Sequence, residues 1–235
     1  MRESGFDPSN RFGAFNLDVI HYDPVELNTL LWVLEKDMAR IARILGKTPG
    51  PWEERAAQRA QLISRYLWDD EAGLYYDYNF LTKRRRAYPF ATTFFPLWAG
   101  LATSHQASRV MDNLSKLEKP GGLVTSLVTS GNQWDSPFGW APLQLVAVEG
   151  MRRYGYNAEA DRVSLAWLSL VLQEYRKTGT IVEKYDVLKR SSQVSEGIAF
   201  GYSTNEIGFG WTNAAFTLMY DALPAEWKAR LRESD

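Results

Sequence analysis

The chain has 235 residues, and its 27 basic residues are balanced by 28 acidic ones for a formal net charge of −1. With 45% hydrophobic residues, that length suits one globular unit with a real core, and the charge balance excludes the basic surplus of a nucleic-acid binder. The absence of cysteine excludes disulfides, thiolate metal sites and a Cys nucleophile, and no apolar run approaches the roughly 20 residues of a bilayer-spanning helix. No nucleic-acid or membrane partner is therefore expected. Two histidines, His21 and His105, stand in no ligand-like spacing, whereas carboxylates and aromatic residues (9 Trp, 12 Tyr, 11 Phe) are plentiful. Carboxylates for acid–base work and flat rings for binding suit a sugar or other polyol.

Met1 to Ser4 carry no apolar stretch of the signal-peptide kind, and the compartment is left open. From Pro24, the apolar residues Val25, Leu27, Leu30, Leu31, Leu34, Met38, Ile41, Ala42 and Leu45 recur at three- and four-residue steps. That spacing predicts one long helix, with Asp23 as a candidate cap, first-turn Pro24 and Gly46 as a stop. A second helix is predicted from about Pro51 to Leu67, then a turn and a short strand near Leu74 to Tyr78. Helices follow over Thr93 to Leu101 and Ser104 to Leu117, and Pro120-Gly121-Gly122 opens an irregular loop to Pro137. Four more are predicted over Ala141 to Tyr154, Ala158 to Lys177, Gly210 to Leu223 and Ala225 to Arg232. The expected fold class is all-α, about eight helices joined pairwise with scraps of strand. Val187 to Gly210 is the longest irregular stretch, of the kind that marks a binding or lid loop.

Three segments are rich in unusual residues: Glu3 to Phe12, Gln133 to Pro142, and Val182 to Asp186 with Gly208 to Asn213. Each has a plain structural reading. Asp7 before Pro8-Ser9 suits an Asx turn, Glu183 beside Lys184 a surface ion pair, and Trp134, Trp140 and Trp211 core anchors. Asp135 and Asp186 could cap helices.

Taken together the segments resemble the trehalases, the inverting α,α-trehalose hydrolases of glycoside hydrolase family 37. Gln133 to Pro142 reads QWDSPFGWAP and fits the family signature QWDxPxGWxP at every defined position. ESGFDPSNRF at Glu3 to Phe12 is similar to the family's ESGWD-SSRW segment, with Phe6 and Phe12 in place of Trp. VEKYDV at Val182, GFGWTN at Gly208, PVELNTLL at Pro24 and KPGGLVTS at Lys119 agree as well, so the likeness runs from Glu3 to about Leu223. It implies an (α/α)6 toroid, a ring of helical hairpins with the active site at one mouth. It also implies Asp7 as general acid and Glu183 as general base. Gly5 would let backbone approach the sugar, and Gln133, Trp134, Asp135, Trp140 and Trp211 would line the substrate site. The expected substrate is a disaccharide, and acetal cleavage by two carboxyls needs no metal or organic cofactor.

Two departures qualify the likeness. The family's PGGRFxEFYYWDSY signature is absent, and about eight helices fall short of a closed ring. The chain is therefore expected to correspond to the C-terminal portion of a trehalase-like catalytic domain, with exposed apolar helix faces, a tendency to self-associate and weak or no activity alone. The family's loop glutamate also has no direct counterpart, because an ungapped count back from Trp211 lands on Tyr202. Glu196 and Glu206 are the candidates to replace it. Two alternatives stay open: a related (α/α)6 glycosidase acting on another small α-glucoside, such as one releasing glycerate, and a non-catalytic sugar-binding remnant.

Overall fold

The computed structural model describes residues 5–194, 197–199 and 204–233. Among these, nine helices form: α1 (Val25–Ile44), α2 (Gly50–Leu62), α3 (Phe95–Ala99), α4 (Ser104–Asp112), α5 (Leu114–Leu117), α6 (Ala141–Arg153), α7 (Asn157–Thr178), α8 (Gly210–Ala222) and α9 (Ala225–Glu233). The all-α expectation holds, and the predicted helices lie within a few residues of these. The count differs because Asn113 divides the predicted Ser104–Leu117 helix, its Nδ2 reaching out to the Ala72 carbonyl at 3.0 Å. No described helix is long and apolar enough to cross a membrane.

Nine two- or three-residue strands punctuate the helices: β1 (Tyr22–Asp23), β2 (Trp68–Asp69), β3 (Leu74–Tyr75), β4 (Tyr78–Asn79), β5 (Arg84–Arg85), β6 (Glu118–Lys119), β7 (Gly122–Leu123), β8 (Phe138–Trp140) and β9 (Lys184–Asp186). They pair antiparallel into β1-β4-β5, β2-β3, β6-β7 and β8-β9. Such strands are too short to show a period of two in sequence. The β8-β9 pair matters most, since it joins two segments that lie far apart in the chain: Phe138 pairs with Asp186, Gly139 with Tyr185 and Trp140 with Lys184.

The core gathers around α6 and α7, where Ala147, Val148, Met151, Trp167, Leu168 and Val171 are buried against Phe94, Leu97, Val110, Leu117, Ala215 and Met219. Helix α6 packs against α3, α7 and α8, so it serves as the central post. Gln144 on α6 ties it to β7 by a two-way bond, accepting from Leu123 N at 2.7 Å and donating to Leu123 O at 2.6 Å. Gly139 fits here because a Cβ would stand 2.5 Å from Val187 Cγ1 and 2.8 Å from Leu123 O, closer than packed atoms allow.

Helix α1 corrects one expectation and agrees with another, that of an exposed apolar helix face. Its N-terminus is capped by Asp77, which accepts Val25 N at 3.0 Å from 52 residues away, while Asp23 lies in β1. Its apolar stripe also faces outward. Leu27 (50%), Leu30 (44%), Leu34 (52%) and Leu45 (62%) of that stripe are exposed, and the buried face carries Val25, Glu26, Thr29, Glu35, Ala39 and Ala42. A stripe that sequence periodicity marks as core therefore lies uncovered on this chain.

Candidate active site

The segment carrying Asp7 is pinned by buried polar groups. Ser9 Oγ donates to Asn16 Oδ1 at 2.9 Å, and Asn16 Nδ2 donates to the Phe6 carbonyl at 2.8 Å. Arg11 is wholly buried, and its guanidinium forks onto Asp77 through Nε at 2.6 Å and onto Glu26 through Nη1 at 3.0 Å. The same guanidinium lies 4.7 Å from the ring centres of both Phe12 and Phe90. Burial works against the Arg11 charge, but Asp77 and Glu26 outweigh it and hold the guanidinium firmly protonated. Glu26 is pushed up from the usual carboxyl range by burial, with Asp77 adding to the effect and Arg11 opposing it. Behind this triad, Arg86 donates from Nε to the Arg11 carbonyl (2.5 Å) and from Nη2 to the Asn10 carbonyl (2.9 Å).

The QWDSPFGWAP segment docks directly on that loop. Gln133 Nε2 donates to the Asp7 carbonyl at 2.5 Å, Trp134 N donates to the Pro8 carbonyl at 3.1 Å, and Asn132 Nδ2 donates to Asn10 Oδ1 at 3.0 Å. Asp135 is the clasp. It is fully buried, and its oxygens accept Tyr88 Oη (2.8 Å), Ser126 Oγ (2.7 Å), Asn10 N (3.0 Å) and Ser130 Oγ (2.5 Å). Four protein donors occupy its acceptor positions. Tyr88 is pushed up by burial and by the Asp135 charge, which keeps its hydroxyl a donor.

Four aromatic rings join the Asp7 segment to the Glu183 segment. Phe6 meets Trp134 edge-on at 4.9 Å, Trp134 stacks on Trp140 at 3.7 Å with 6° between the planes, and Trp211 meets both edge-on at 6.4 and 5.9 Å. Trp140 is 1% exposed and serves as the floor beneath Trp134. On the far side, Trp211 Nε1 approaches the Glu183 carbonyl at 3.4 Å and Thr212 Oγ1 donates to the Val182 carbonyl at 2.9 Å. Lys184 is fully buried with its Nζ 2.8 Å from Glu183 Oε2 and 5.3 Å from the Trp140 ring centre. Glu183 is thus a paired, nearly buried carboxylate, not a surface ion pair.

Asp7 is half-buried, Gly5 is exposed, and Gln133 is buried with its Oε1 meeting no hydrogen-bond partner among the described atoms. Gly5 has φ +75°, and nothing lies within 4 Å of where its Cβ would be; the left-handed backbone conformation is what calls for glycine there. Glu206 is exposed and adjoins the Glu183 segment through its backbone, its carbonyl accepting Glu183 N at 2.9 Å, while its carboxylate accepts Thr204 Oγ1 at 3.1 Å. Glu196 and Tyr202 lie outside the described residues. Sequence reasoning misses Arg11, Glu26, Asp77, Tyr88, Lys184 and Asn205. The last brackets Lys184, accepting its N–H at 3.1 Å and donating to its carbonyl at 2.8 Å. Of these, Arg11, Glu26 and Lys184 sit inside matched motifs and are open to discovery there; the others are contacts that only folding makes.

Glu174 on α7 anchors the segment that follows β9, accepting Ser192 N at 2.8 Å, Ser192 Oγ at 2.6 Å and Lys177 Nζ at 2.7 Å. Burial would raise this carboxyl, but the hydrogen bonds from Lys177 and Ser192 and the Lys177 charge bring it down to about 2 from 4.5. A folded value below the unfolded one stabilises fully above the unfolded value and is lost as pH falls through the folded one. Glu174→Gln is expected to lower stability by on the order of 3 kcal/mol at neutral pH, a gap that closes as pH falls from about 4.5 toward 2. Urea midpoints of both proteins across that range measure it, and a pH-independent gap contradicts it.

The family model described as Trehalase matches residues 1–223. The chain belongs to the trehalase family. It is 37% identical to the cytosolic neutral trehalase of Kluyveromyces lactis over 93% of this chain and 32% of that protein. With the cytosolic neutral trehalase of Saccharomyces cerevisiae it shares 36% identity over 93% of this chain and 32% of that protein. This trehalase-family chain thus spans about a third of the length of the curated relatives it matches. The solved structure of neutral trehalase from Saccharomyces cerevisiae superposes with a TM-score of 0.83 at 34% identity, covering 98% of this chain and 43% of that one. A glycoside hydrolase family 63 mannosylglycerate hydrolase from Thermus thermophilus, solved with Tris and D-glycerate, matches at TM-score 0.67 and 26% identity over 85% of this chain and 46% of that one. The helical layout is that of part of an (α/α)6 glycosidase toroid.

Proposed function

We propose that residues 1–235 form the C-terminal portion of a trehalase-like catalytic domain, and that Asp7 and Glu183 are the general acid and general base of inverting α,α-trehalose hydrolysis. One observation carries the reading. The backbone at Asp7 is held by Gln133 and that at Glu183 by Trp211; the Gln133 carbonyl accepts Trp140 Nε1 at 2.9 Å, and Trp140 and Trp211 pack in one block of rings. Trehalose joins two anomeric carbons through one oxygen and offers no carbonyl to attack. Cleavage needs a proton on that oxygen as the C–O bond breaks, and a water, deprotonated as it attacks, on the opposite face of the sugar. Asp7 supplies the first and Glu183 takes the second, with the two carboxyls about 6.5–9.5 Å apart to hold the water. Inversion at the attacked carbon then yields one β- and one α-glucose. Lys184 orients Glu183 by charge and hydrogen bond, and Trp134 and Trp211 offer apolar faces to sugar C–H groups. Asp135 and Trp140 act from behind by holding these groups in place.

A glucose-release assay on α,α-trehalose tests the reading, run on the 235-residue chain and on a form extended at its N-terminal side to the length of the relatives. The expected result is turnover by the extended form and weak or no turnover by the 235-residue chain. Equal turnover by both overturns the dependence on added length. A second reading, hydrolysis of a small α-glycoside with an acidic aglycone, draws on the likeness to mannosylglycerate hydrolase. An extended form that releases sugar from such a substrate and leaves trehalose intact would replace trehalose with it, and binding of trehalose without release would leave a non-catalytic sugar binder.

A further inference from the structure

Next to the acid segment, but on the side of the β1-β4-β5 sheet, lies a cleft of about 400 Å³ whose walls include Asn79, Thr82, Arg84, Arg85, Arg86 and Tyr88. That volume is within the ~300–1,000 Å³ of small-molecule sites. Its walls carry three guanidiniums and no carboxylate. The three arginines follow Lys83 in the run Lys83-Arg84-Arg85-Arg86, which leaves the β4-β5 hairpin turn with a dense positive charge.

The charges are poorly compensated. Arg84 is exposed, and its guanidinium has no partner among the described residues. Arg85 donates to the carbonyls of Tyr66 (2.9 Å) and Arg65 (3.0 Å), and its carboxylate neighbour Asp69 stands off at 3.7 Å. Arg86 is spent on the carbonyls of Asn10 and Arg11 and lies 5.4 Å from the Tyr88 ring centre, with no carboxylate among the described residues. Asp77, just before β4, is already taken by Arg11. Carbonyl oxygens accept hydrogen bonds without cancelling a full charge, so the cleft is left with a net positive field. A compact group of two negative charges and several acceptor oxygens matches planar guanidinium forks better than a single halide does.

We propose that this cleft is an anion subsite for a phosphate group, taken either as inorganic phosphate or as the phosphate of a hexose monophosphate. Arg84 is the open fork that engages the anion. Arg86 borders the same cleft and holds the segment bearing Asp7, so an anion seated there adjoins the acid loop. The subsite does not depend on the glycosidase reading, because its test is a binding measurement with no sugar turnover.

Isothermal titration of the 235-residue chain with inorganic phosphate, and separately with a hexose 6-phosphate, at fixed ionic strength made up with chloride, is the experiment. Saturable binding of at least one probe is expected, weakened about tenfold or more by Arg84→Ala and unchanged by Arg40→Ala, an exposed arginine on α1. Tighter binding of the hexose 6-phosphate identifies a sugar phosphate as the occupant, and equal binding of both probes identifies phosphate alone. The Arg84 guanidinium has no partner among the described residues, so loss of binding cannot be put down to unfolding; unchanged circular dichroism of the variant checks this. Binding of neither probe, or binding that Arg84→Ala leaves intact, overturns the proposal. The arginines would then serve only to keep the edge strand β5 from pairing with another chain.

Discussion

Asp7→Asn and Glu183→Gln are each expected to lower trehalose turnover by the ~10²–10⁴-fold typical of losing a positioned acid or base, and Glu183→Gln also to lower stability, because it leaves the buried Lys184 ammonium without its carboxylate. The extended form is the one to assay. The two variants separate on an activated substrate. α-Glucosyl fluoride has a leaving group that departs without a proton, so Asp7→Asn should hydrolyse it at close to the parent rate while Glu183→Gln stays impaired. Azide, which attacks without surrendering a proton, should restore sugar release to Glu183→Gln and yield a β-glucosyl azide. Fluoride hydrolysis that falls as far as trehalose hydrolysis in Asp7→Asn would remove Asp7 from the acid's role. Lys184→Met provides a graded companion. It takes the buried ammonium from beside Glu183 and should reduce turnover at saturating trehalose more than it alters KM.

The second large effect is on stability. Among the described residues, Arg11→Met strips the cation shared by two buried carboxylates, Glu26 (6% exposed) and Asp77 (3%). Breaking a buried pair from one side costs about 3–5 kcal/mol, most of it from the charges left behind. Two linked consequences follow from the contacts: Asp77 loses part of what orients it as the cap of α1, and the Asp7 segment loses its anchor. Urea unfolding should show a fall in midpoint of that size with an unchanged slope. The triple variant Arg11→Met/Glu26→Gln/Asp77→Asn should regain part of the loss, because its buried groups are neutral and the amide introduced in place of Asp77 retains an oxygen for Val25 N. A midpoint for Arg11→Met equal to that of the parent would show the triad to be energetically neutral.

These two expectations also mark where sequence reading reaches and where it stops. Helix positions are legible because apolar spacing, Pro and Gly are local signals that act within a few residues. Gly46 illustrates the point, since it ends α1 at φ +65° as a helix-stopping glycine does. The residues proposed to bear the chemistry are legible because they stand in contiguous motifs, ESGFDPSNRF, QWDSPFGWAP and VEKYDV, whose order along the chain is itself the signal.

Partnership between distant residues has no such signal. Nothing near Asp135 in the chain announces that Tyr88 and Asn10 will donate to its oxygens, and nothing near Val25 names Asp77 as its cap. The direction of the α1 stripe is equally out of reach. Periodicity reports that Leu27, Leu30 and Leu34 share a face, whereas which neighbour covers that face is set by the packing of α2 and α3 against the other side. Sequence alone determined the helices, the family likeness and which two carboxyls are proposed as acid and base, because those depend on near neighbours and on contiguous motifs. Tertiary structure decided which polar groups are consumed as supports and which face outward, because burial and long-range hydrogen bonds exist only once segments separated by up to 126 residues meet.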